Sequence, residues 1–134
     1  MTIPSKFKVV ENKTNVHTEL ISMLFHLRTQ IHISHLQSHS YSQHKALNKL
    51  YDAVLDIADE LAETIQGKLN IRLKGYKSYP FEDDYDMTEC INEHIKYITN
   101  YRTTLSTPSW NNIDNQLQVL QDKLEGTLYL LTLK

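Results

Sequence analysis

A single cysteine, Cys90, leaves no disulfide framework and no cysteine-based zinc site to consider. Glycine and proline are nearly as scarce, with three of each in 134 residues. A sandwich or barrel of many short strands needs more turn chemistry than that, so the scarcity favours a few long helices. No apolar run is long enough for a membrane span, and the opening MTIPSKFKVVENK lacks a signal-peptide core. The formal net charge of -2 gives no electrostatic footprint for strong nucleic-acid binding. The expectation is one soluble, cytoplasmic domain, long enough to bury a core.

What is present is helical periodicity. Residues 1–12 read as an N-terminal arm carrying Lys6 and Lys8, with Lys13 just beyond, and residues 13–134 read as the folded domain. The first helix is expected from an N-cap at Asn15 to about Ser38, burying Leu20, Leu24, Leu27 and Ile31. The second starts near Ser40 or Ser42 and stops at Gly67, with Leu47, Tyr51, Val54, Ala58, Leu61 and Ile65 as its stripe. Gly75 and Pro80 interrupt residues 67–86, which form a long connection. The third helix covers about Met87 to Leu105, burying Met87, Ile91, His94, Ile98, Tyr101 and Leu105. Thr107-Pro108 then opens the fourth, whose stripe is Ile113, Leu117, Leu120, Leu124, Leu128 and Leu131. Two tight turns and one long crossover predict an all-α four-helix bundle, up-down-down-up, the ferritin-like order.

The stretch HISHLQSHSYSQHKAL, residues 32–47, holds His32, His35, His39 and His44. His35 falls at the edge of the first helix's buried stripe. On the second helix, with His44 at zero, Asn48, Asp52, Asp59 and Glu63 fall between roughly 40° and 100°, beside a core stripe near roughly -60°. Such a band is ordinarily the solvated side of an amphipathic helix. His44 and Asp59 are separated by roughly 22 Å of helix at 1.5 Å per residue, too far to share an ion within one chain. Across a two-fold axis, with two copies of the helix antiparallel, His35 and His44 of one chain meet Asp59 and Glu63 of the other. The single-chain alternative needs a Glu-x-x-His pair on each of two helices, and none occurs.

The segment HLQSHSYSQHKALNKLYDAVLDIADELAE, residues 35–63, resembles the first two helices of Dps-type ferritin-like proteins, especially their short phage-encoded members. In that family a histidine late in the first helix and one early in the second bind iron at a dimer interface. A D-E-x-x-E stretch farther on supplies the partner's carboxylates. The resemblance assigns these roles to His35, His44, Asp59 and Glu63. It implies oxidation of Fe(II) by peroxide or oxygen (ferroxidase chemistry), sequestration of the product and protection against oxidative damage. It also implies a homo-oligomer with two-fold interfaces, up to a dodecameric cage, in the cytoplasm, for phage-type members that of the infected host. The same donors suit other divalent metals. Asn48 stands where the family usually has an aspartate, Leu36 where a tryptophan is common, and the interval between the two histidines is short.

Two other functions compete. A metal-poor bundle with a structural or assembly role is favoured by Asn48. Non-specific DNA binding would rest on the sparse lysines of the arm. FEDDYD lacks the spacing of a calcium loop and reads as a solvated lead-in. His94 and Cys90 read as core residues, Tyr51 as packing beside the site, and His32 and His39 as surface histidines.

Overall fold

The computed structural model describes the backbone of residues 3–133 and the side chains of residues 16–133. The described residues form four α-helices: α1 (Ile3–Gln37), α2 (Tyr41–Leu69), α3 (Met87–Arg102) and α4 (Asn111–Leu130). A 3-10 turn, Pro108–Trp110, leads into α4. No strand occurs among the described residues.

The backbone of α1 is helical from Ile3, well before the expected cap at Asn15. The side chains of Lys6, Lys8 and Lys13 lie outside the described residues. The expected stripe is buried throughout: Leu20, Leu24, Leu27 and Ile31 have almost no contact with solvent.

Ser40 caps α2, its hydroxyl accepting the Gln43 N–H at 3.3 Å. The helix runs through Gly67 rather than stopping there. It ends where Asn70 adopts the left-handed conformation, φ 54°, and its N–H reaches the Gln66 carbonyl. Asn is the residue other than Gly that most readily takes this shape, whereas Gly67 in mid-helix is merely tolerated. Helix α3 stops at Arg102, short of Leu105, and Asp86 caps its start by accepting the Thr88 and Glu89 N–H groups. That cap gives one aspartate of FEDDYD a structural role.

The ends of the helices fix their directions. Ser42 at the start of α2 reaches the Leu133 carbonyl just past α4, and Lys68 at its end reaches the Ser109 carbonyl just before α4. Helices α2 and α4 therefore run antiparallel. Arg102 of α3 pairs with Asp114 of α4 at 2.7 Å and bonds Gln121, closing the second hairpin.

The connection between α2 and α3 travels along α1. Lys77 N–H donates to Ser22 Oγ, Glu82 N–H to Gln30 Oε1, and Asp84 N–H to Gln37 Oε1. These contacts ascend α1 in order and deliver α3 to the end where α1 turns into α2. One core fills the space between the helices, from Leu20 and Leu47 to Ile91 and Leu124, with Leu73 of the connection added at its margin.

Candidate metal centre

Three residues, Ser38, His39 and Ser40, join α1 to α2. The turn is tied by its own hydroxyls. Ser38 Oγ donates to the Ser40 carbonyl and accepts the Ser40 N–H. This closure brings the last turn of α1 against the first turn of α2, and so His35 against His44.

The two imidazoles stack with centroids 3.7 Å apart and planes 20° from parallel. His35 Nδ1 lies 2.7 Å from the His44 carbonyl, and His44 Nδ1 lies 2.9 Å from the His35 carbonyl. A carbonyl only accepts, so each Nδ1 carries the hydrogen. In the neutral rings the lone pairs are then on the two Nε2 atoms, which face no donor among the described residues. A ring nitrogen held by a backbone carbonyl, with the other left basic, is how proteins orient a metal-binding histidine.

Aromatic side chains fix the surroundings. Tyr51 stacks on His32 at 4.2 Å and meets His35 edge-on at 5.5 Å. The Arg28 guanidinium lies 5.4 Å from the Tyr51 centroid, within cation–π range. The Tyr51 hydroxyl donates to Asn48 Oδ1 at 2.7 Å. Tyr51 is half-buried, packed against the core rather than within it. His32 is also half-buried under this stack, whereas His39 is exposed on the turn.

Asp59 and Glu63 are exposed farther along α2, and neither is brought to the histidines within one chain. Among the described residues no group of three or more His, Cys, Asp or Glu side chains converges. One chain therefore presents two imidazole donors near one end of α2 and two carboxylates toward the other.

Spacing located His35 and His44 but not their mutual lock, which depends on a turn of only three residues. Arg28 and His32 lie two turns and one turn before His35 on α1. Nothing in the sequence marked the glutamines that hold the connection: Gln30, Gln37 and Gln66 all bond its backbone N–H groups. No helix among the described residues is long and apolar enough to cross a membrane.

No curated protein and no solved structure matches the chain. Residues 35–131, which include both histidines and both carboxylates, match the model of a family of unknown function, DUF5856, and the chain belongs to that family.

Proposed function

We propose that the chain is a Dps-like, ferritin-like bundle in the up-down-down-up order, which binds Fe(II) between two-fold related copies and promotes its oxidation. The observation that carries this reading is the reciprocal lock of His35 and His44. It leaves the Nε2 atoms of two stacked rings as the lone-pair donors beside the turn. Imidazole with carboxylate is a donor set suited to Fe(II) and to neighbouring divalent ions.

The set is completed by Asp59 and Glu63 of a second copy. With α2 antiparallel to its mate, the register that sets His44 opposite Asp59 sets Asn48 opposite Leu55 and Tyr51 opposite Asp52. Leu55 is 40% exposed in the single chain, an apolar residue for such an interface to cover. Two equivalent sites follow from the symmetry. In each, the histidines orient the ion, Glu63 binds or bridges, and Asp59 completes the shell. Peroxide or oxygen accepts the electrons, and ferric product gathers inside an assembly, a cage of twelve in the fullest form. In the cytoplasm, that of an infected host for a phage-type member, removal of iron and oxidant together protects against oxidative damage.

A second reading is a structural bundle with its metal chemistry lost. Asn48 favours it, because its carbonyl oxygen already accepts the Tyr51 hydroxyl and it brings no negative charge.

Anaerobic Fe(II) titration followed by peroxide, on wild type beside the His44→Ala, Asp59→Ala variant, separates the two. Stoichiometric binding and rapid oxidation in wild type alone support the iron reading. Absence of binding in wild type leaves the structural one.

A further inference from the structure

The connection between α2 and α3 is a strap over the seam between α1 and α3. Its fastenings are mostly neutral. Gln30 gives its amide N–H to the Glu82 carbonyl at 2.9 Å and takes the Glu82 N–H at 2.9 Å. Gln37 gives its amide N–H to the Asp83 carboxylate and takes the Asp84 N–H, and Phe25 stacks on Tyr76 with centroids 5.9 Å apart.

Two imidazoles adjoin this seam, one on α1 and one on α3, close enough to influence each other. His26 of α1 stacks on Phe81 of the strap, centroids 4.7 Å apart and planes 7° from parallel, and meets Tyr79 edge-on at 5.4 Å. Its Nδ1 is buried with no partner among the described residues. His94 of α3 is buried, and its Nδ1 donates to the Cys90 carbonyl at 2.8 Å. That bond places the lone pair of the neutral ring on Nε2, which is also buried without a partner among the described residues. A proton on His94 Nε2, or on both nitrogens of His26, makes a charged N–H that has no acceptor in the docked arrangement.

We propose that residues 74–85 form an acid-released strap, docked while His26 and His94 are neutral and freed from the α1–α3 seam when they take up protons.

The surroundings support this direction. Burial lowers the pKa of His26, and the nearby His94 lowers it further. At His94 burial again lowers it and is the largest influence, while the Cys90 carbonyl and Glu93 pull the other way. The strap brings Lys77 and Tyr79 to the His26 side, with Lys77 paired to Glu19 at 3.1 Å. Tyr97 of α3 also meets Glu19 and is influenced by Tyr79. Around Cys90 stand Glu82 of the strap and Glu89 and Glu93 of α3, and Glu93 accepts the Tyr85 hydroxyl at 2.9 Å. With docked-state values lowered, docking is complete above the ordinary imidazole value of 6.5. It weakens as pH falls below that value, because the released strap leaves the rings free to bind protons.

Hydrogen–deuterium exchange of the whole protein, corrected for intrinsic rates at pH 7.5 and pH 5.5, tests the proposal. The expected result is a several-fold loss of protection in residues 74–85 at the lower pH, with α2 and α4 still protected. In His26→Phe, which keeps the stack but not the titration, the step shrinks; in His26→Phe, His94→Gln it disappears. Gln30→Ala loosens the strap at both pH values and leaves the step in place. The proposal is overturned by protection that does not change with pH. It is equally overturned by helices that open together with the strap, or by a step of undiminished size in His26→Phe. The single variant carries the test if the double variant does not fold.

Discussion

His35 and His44 hold each other by their main chains: each ring donates Nδ1–H to the other residue's carbonyl while the rings stack at 3.7 Å. Removing either side chain loses one of the two bonds, worth about 0.5–1.5 kcal/mol. The costs then diverge, because His35 is only 7% exposed and its loss leaves a void, whereas His44 is more open. Urea denaturation is expected to rank His35→Ala as the less stable variant. Isothermal titration with Fe(II) under anaerobic conditions is expected to show binding lost in both.

Asn48 tests the donor set. Asn48→Asp keeps an acceptor for the Tyr51 hydroxyl and adds the negative charge the site lacks. Stopped-flow oxidation should be faster in this variant than in wild type, and Fe(II) affinity tighter. An unchanged rate would place residue 48 outside the metal's reach.

Arg28 lies over Tyr51, its Nε buried without a partner among the described residues. In the proposed antiparallel register, Tyr51 would face Asp52 of the second copy, which would bring opposite charges together near the two-fold axis. Light scattering is expected to show smaller assemblies for Arg28→Asp and for Asp52→Arg, and recovery in the double exchange. Failure of the double exchange to recover would reject that register.

Gln30 is a buried amide whose two ends satisfy the backbone of one strap residue, Glu82. Gln30→Leu keeps the volume but strands the Glu82 N–H and carbonyl. Each stranded backbone group costs about 1–3 kcal/mol if it stays buried and less if water reaches it. Thermal unfolding should register the loss, and Gln37→Leu, at an exposed clamp, should be milder.

Gly67 and Gly126 lie inside helices, and a Cβ at either would meet nothing within 4 Å. Gly67→Ala and Gly126→Ala are each expected to add about 0.8–1 kcal/mol. Chemical denaturation measures this directly.

The helices and their buried stripes were readable because apolar spacing records them directly: Leu20 to Ile31 and Ile113 to Leu124 are buried as expected. Helix ends were less readable. Gly67 looked like a stop, yet Asn70 takes the left-handed turn, since a glycine permits a terminus without compelling one. Of the site, the histidine pair was visible as two positions flanking a turn. Its lock was not visible, because a carbonyl carries no sequence signature. The strap's clamps were hidden for a similar reason: a glutamine on a helix face looks solvated until a backbone lies against it.

Those clamps have a consequence for how the molecule responds to its medium. Gln30 and Gln37 fasten the strap mainly through neutral dipoles, and the ion pair at its edge, Lys77 with Glu19, is exposed and easily screened. Rising ionic strength therefore leaves the strap fastened, although salt would weaken an attachment built on charge. A chain that keeps the same strap across a wide range of salinity, yet answers to acid, distinguishes two features of its surroundings that charged fastenings would confuse.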